Sequence, residues 1–112
     1  MENISLEKYV DIEAALGRLA GNRKLLDSLL NKFASGPSFD NLKNEIAAKD
    51  YAAAASTAHA IKGMAGNLSM TGLYALIVEL EQQLKNNSCD EETYNKTITV
   101  YEETLAAINQ SA

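Results

Sequence analysis

A chain of 112 residues, 46% hydrophobic and 22% charged, has the size and balance of one soluble globular domain with a single core. Ten basic against 15 acidic residues leave a net charge of −5, with lysines and arginines dispersed, which argues against nucleic acid as a partner. No run approaches the roughly 18 apolar residues of a membrane span, Met1-Glu2-Asn3 lacks the regions of a signal peptide, and a single cysteine and a single histidine argue against a disulfide or a transition-metal site. The expectation is a cytoplasmic protein whose residues 1–112 form one domain, with Cys89 a bystander thiol in a loop.

Apolar residues recur at helical spacing nearly throughout, and strand signals are sparse. A short helix is predicted from Asp11 to Leu19, closed by a turn at Ala20-Gly21-Asn22. A second runs from Arg23 to Ala34, with Leu25, Leu26, Leu29, Leu30 and Phe33 on one face. Ser35-Gly36-Pro37 interrupts it, and Pro37 suits the first position of a third helix striped by Phe39, Leu42 and Ile46. Asp50 is a good N-cap for a fourth helix ending near Asn67. Ser69 or Thr71 then caps a fifth, lined by Leu73, Leu76, Ile77, Leu80 and Leu84 and closed by Asn86-Asn87. Ser88-Cys89-Asp90-Glu91 has the spacing of a capping box for the last helix, with Tyr94, Ile98, Tyr101, Leu105 and Ile108 as its stripe. Amphipathic helices with short connections predict an all-α antiparallel up-and-down four-helix bundle, with one or two short additional helices at the N-terminus.

His59 is the only histidine, set in Ala58-His59-Ala60-Ile61-Lys62-Gly63-Met64-Ala65-Gly66-Asn67-Leu68. At 100° per residue Lys62, Gly63 and Gly66 fall within about 60° of His59, and Ala52, Ala55 and Ser56 extend the same stripe. Ala54, Ala58, Ile61, Ala65 and Leu68 gather on the opposite side. Two interior helical glycines forfeit roughly 2 kcal/mol of propensity. Lying on the histidine side, they are read as clearing space around the imidazole and not as packing sites.

Three uses of such a histidine compete. A bystander leaves Lys62, Gly63 and Gly66 on the same face unexplained. Free imidazole, with a pKa of about 6.5, suits acid–base catalysis, but that chemistry needs a cleft and an orienting carboxylate. The face reads as convex and flat, and no acidic residue lies one turn away on it. A nucleophile that accepts a phosphoryl group fits better. Lys62 offers a point charge to the phosphoryl oxygens, Gly63 leaves room, and the alanines let a large partner close over the site. No G-x-x-x-x-G-K loop is present, so the chain has no evident ATP site of its own and is read as a carrier and not an enzyme.

In these residues the chain resembles the histidine-containing phosphotransfer (HPt) domain family of two-component phosphorelays. Ala58-His59-Ala60-Ile61-Lys62-Gly63, Ala65-Gly66-Asn67-Leu68 and Leu80-Glu81 carry the resemblance. Asp11-Ile12, Ala15-Leu16, Arg18-Leu19, Gly21-Asn22, Leu29-Leu30, Phe33 and the stretch Ala47 to Asp50 extend it. One departure is Ser69, where the family often has glycine after the Asn-Leu pair.

The resemblance implies a four-helix bundle with an exposed phosphoacceptor halfway along one helix. His59 would take a phosphoryl group from a receiver-domain aspartate and pass it to another receiver, with Lys62 stabilising it and Gly63 keeping the site open. Partners would be response-regulator receivers and a hybrid sensor histidine kinase, with Mg²⁺ belonging to the receiver and no cofactor or metal in this chain. The protein is expected to be a monomer that binds no membrane. Ser56, Gly66, Ala55 and Met64 are candidate receiver-docking positions, joined by Met70 and Phe39. Two alternatives stay open: a histidine-bearing P1-type domain of a chemotaxis-like kinase, and a helical adaptor that binds a receiver without accepting phosphate.

Overall fold

Asp11, Asn22 and Asp50 start three helices by one device, a side-chain oxygen accepting the backbone N–H three residues on. Asp11 bonds Ala14 at 3.1 Å, Asn22 bonds Leu25 at 3.0 Å and Asp50 bonds Ala53 at 3.2 Å. The computed structural model describes residues 6–36 and 38–111. After a 3₁₀ turn at Leu6–Lys8 come α1 (Ile12–Arg18), α2 (Arg23–Ser35), α3 (Ser38–Ala47), α4 (Tyr51–Asn67), α5 (Thr71–Lys85) and α6 (Glu91–Ser111). The expected first position of Pro37 in α3 lies outside the described residues. The described residues hold no strand, and the fold is an all-α helical bundle.

Packing runs along the chain: α4 lies against α3 and α5, α6 lies against α5, and α2 closes onto α6. Leu26, Leu30 and Phe33 of α2, Leu42 of α3, Ile61 of α4 and Leu73, Ile77, Leu80 and Leu84 of α5 form the core. Phe39 stacks on Tyr101 with ring centroids 3.4 Å apart, and Phe33 meets both rings edge-on, so one aromatic group ties α2, α3 and α6. Thr57 donates to Glu45 at 2.6 Å, joining α4 to α3.

The predicted stripe of α2 holds except at one residue, and that of α6 is rotated. Leu25 is 42% exposed, because Leu26, Leu30 and Phe33 already fill the inward face of α2. On α6 the buried face is Thr93, Thr97, Tyr101, Thr104, Ala107 and Ile108, while Tyr94, Ile98 and Leu105 are half-buried, as is Leu76 on α5. Thr97 and Thr104 can be buried because each hydroxyl donates to the carbonyl four residues back, Thr93 at 2.8 Å and Val100 at 2.7 Å.

The predicted caps of the last two helices also differ. Neither Ser69 nor Thr71 caps α5: Met70 occupies the N-cap and no side chain bonds the free N–H groups. Ser69 instead ends α4. It adopts the left-handed conformation (φ 56°), its N–H bonds the Gly66 carbonyl, and the Met70 N–H bonds Ala65, a Schellman closure. Its carbonyl accepts the Asp11 N–H at 2.9 Å, pinning α1 to this junction. At α6, Asp90 and not Ser88 does the capping, taking the Thr93 N–H at 3.1 Å, while the Ser88 hydroxyl turns back to the Gln83 carbonyl.

Candidate functional site

The 17 residues of α4 are rich in alanine, so the backbone approaches α3 and α5 closely on one side and carries few large side chains on the other. Ala54, Ala58, Ile61 and Ala65 are inaccessible. His59 points away from them, and its side chain is 67% exposed. The helical wheel placed the ring correctly.

A carboxylate reaches it from the neighbouring helix. Glu81 of α5 is only 2% exposed, yet three groups converge on it. His59 Nδ1 lies 3.1 Å from Glu81 Oε2, Lys62 Nζ lies 2.8 Å from Oε1, and Lys85 Nζ lies 3.0 Å from Oε2. Burial alone would push this carboxyl up, but the hydrogen bonds from Lys62, Lys85 and His59 outweigh it and lower the pKa from 4.5 to about 2. Glu81 is therefore ionised at neutral pH and can only accept. The bond to His59 then requires the proton on Nδ1, which leaves the lone pair of the neutral ring on Nε2.

No acidic residue lies one turn away on the histidine face of α4, as read, but the inference that the ring lacks an orienting carboxylate is corrected: one comes from α5. Its signal was present, since Glu81 falls four residues after Ile77 and beside Leu80, inside the apolar stripe of its helix. An acidic residue at an inward position needs a partner.

Lys62 is part of this cluster and not a free cation. The Glu81 hydrogen bond raises its ammonium above the usual 10.5, so it stays charged. Gly63 is open: apart from the backbone of its own turns of helix and its chain neighbours, no atom lies within 4 Å of where a Cβ would stand. Gly66 differs: a Cβ there would meet the Tyr74 ring at 3.3 Å, so this glycine seats an aromatic side chain of α5. Only Gly63 matches the space-clearing role expected of both.

The surface is not wholly flat. An open cleft of about 570 Å³ flanks the histidine helix, lined by Arg18, Lys62, Gly63, Gly66, Asn67 and Tyr74 among others. Of the expected docking positions, Ser56 is exposed, Gly66 is half-buried and Met64 is 37% exposed. Ala55 (8% exposed), Met70 (0%) and Phe39 (3%) are core residues and leave the docking list. Ala55 is covered because α4 is flanked on two sides, by α3 and by α5.

No group of three or more histidine, cysteine, aspartate or glutamate side chains is placed to hold a metal ion among the described residues. None of their helices is long and apolar enough to cross a membrane. Cys89 is half-buried, and burial pushes its thiol above the ordinary value.

The family model for the Hpt domain matches residues 11–111. No curated protein and no solved structure matches the chain significantly. Hpt domains are phosphocarrier modules without an ATP site of their own, serving histidine phosphotransfer in two-component signalling with receiver domains and histidine kinases. The match begins at the Asp11 cap of α1 and ends with the last residue of α6, taking in the histidine helix and its carboxylate-bearing neighbour: the chain belongs to the Hpt domain family.

Proposed function

We propose that His59 is the phosphoacceptor of a relay, receiving a phosphoryl group from the aspartyl phosphate of one receiver domain and giving it to the aspartate of another. The observation that carries this reading is the 3.1 Å contact between His59 Nδ1 and ionised Glu81, on a side chain 67% exposed. With Nδ1 holding a proton, Nε2 is the nucleophile. A nitrogen–phosphorus bond forms at Nε2 as the phosphorus–oxygen bond to the aspartyl carboxylate breaks, and the carboxylate leaves with the electron pair. No proton moves. The ring keeps its Nδ1 proton and becomes cationic, facing Glu81. Transfer onward reverses these steps on a second aspartate.

Lys62 would leave Glu81 to meet the phosphoryl oxygens as they arrive, its flexible stem allowing the swing. Gly63 keeps that side of the ring unobstructed. Mg²⁺ and the remaining catalytic groups belong to the receiver, which docks over the exposed stripe containing Ser56 and Met64. The carrier acts as a monomer in the cytoplasm and needs no cofactor.

The test is transfer of label from a phosphorylated receiver. Wild-type protein should acquire acid-labile label, the signature of a phosphoramidate. His59→Gln should acquire none while keeping its helical circular dichroism; label on this variant would place the acceptor elsewhere. Lys62→Ala should transfer about tenfold more slowly, the equivalent of one hydrogen bond to a charged group.

A further inference from the structure

Glu81 holds more cations than one histidine requires. A buried carboxylate is costly unless compensated, and Lys62 alone at 2.8 Å would supply that compensation in the resting protein. Lys85 is a second ammonium on the same group. It sits four residues after Glu81 on α5, the favourable order for a helical pair, with its side chain 63% exposed. It shares Oε2 with His59, whereas Lys62 takes Oε1. The turn after it is held by its own contacts: the Asp90 N–H donates to Gln83 Oε1 at 2.8 Å, and Gln83 Nε2 donates to Thr93 at 3.0 Å.

The two lysines are not equivalent. Lys62 lies one turn from His59 on the same helix, and its ammonium can move to a group on that ring. Lys85 reaches the histidine only through the shared carboxylate. Once Lys62 turns to the phosphoryl oxygens, Glu81 would face the cationic ring with Oε1 vacated.

We propose that Lys85 is a positioning residue for phosphoryl transfer: it stays on Glu81 when Lys62 departs, keeping the carboxylate charged and its grip on His59 Nδ1 intact through the cycle. The proposal rests on the assignment of His59 as acceptor. It makes the Glu81 cluster a cation exchange with one mobile and one resident lysine.

The test uses Lys85→Met, Lys85→Arg, Lys62→Met and the double variant Lys62→Met/Lys85→Met in the full chain. In unphosphorylated protein, carbon-detected NMR titration of the Glu81 carboxyl should show its midpoint rise in Lys85→Met and return in Lys85→Arg. Transfer from a phosphorylated receiver should fall about threefold in Lys85→Met, in keeping with one pair at the solvent boundary, with thermal stability nearly unchanged and Lys85→Arg restoring the rate. The double variant should lose more than the product of the single losses, because Glu81 then has no ammonium in either state. Losses that simply multiply, or transfer that Lys85→Met leaves intact, would overturn the proposal while leaving His59 as acceptor. A wild-type protein that takes no phosphoryl group would overturn both, and the titration would still report whether Lys85 governs Glu81.

Discussion

Ser69 shows how a single backbone angle can outweigh a side chain's usual preference. Serine is a good N-cap by composition, yet the chain must reverse between α4 and α5, and the Schellman closure demands a left-handed residue at that point. The conformation costs an L-residue about 1–2 kcal/mol. The hydroxyl is also buried with no hydrogen-bond partner among the described residues. Ser69→Gly should therefore stabilise the protein by about 1 kcal/mol, raising Tm by roughly 4–8 °C in thermal melts. The two glycines of the histidine helix are separated by the same kind of reasoning. Gly63→Ala meets open space and should gain about 1 kcal/mol of helix propensity while slowing transfer. Gly66→Ala forces the Tyr74 ring aside and should gain less in the same melts. The helical wheel put both glycines on one face; only the position of α5 tells them apart.

At the scale of elements, Glu81 makes the α4–α5 contact electrostatic as well as apolar. Its folded pKa of about 2 lies below the ordinary 4.5, so the ionised form favours folding. That stability is fully present above pH 4.5 and is lost as the pH falls from there through about 2. Thermal melts across this window should show the loss in wild type and a flatter profile in Glu81→Gln; equal slopes would mean that the Glu81 cluster does not stabilise the fold. Helix positions and the cap at Asp50 were legible in the sequence because both are local, whereas Asp11, read as the first residue of its helix, turns out to be the cap of a helix that starts at Ile12. The buried face of α6 was not legible. Its threonines read as polar, and only the bonds to carbonyls of the preceding turn make them fit for a core. Glu81 was readable as an anomaly in an apolar stripe, but nothing local named its partners 19 and 22 residues away, Lys62 and His59.

For the whole molecule, the radius of gyration is 14.1 Å and the extents are 40 × 34 × 20 Å, a flattened body with the histidine on an exposed helix face. If the protein is a monomer, small-angle scattering should give a radius near this value once hydration is included, whereas a dimer would give a clearly larger one. Repeating the measurement on the phosphorylated form would show whether transfer changes the assembly. The sequence by itself determined the helical class, most element boundaries and the exposed imidazole with lysine and glycine beside it, because periodicity and capping act within a few residues. Tertiary structure decided which residues share the site. Glu81 and Lys85 join His59 only because α5 packs against α4, and burial between the two helices is what forces a carboxylate to gather three donors. Packing likewise turned Ala55, Met70 and Phe39 into core, since what lies inside depends on where the neighbouring helices fall.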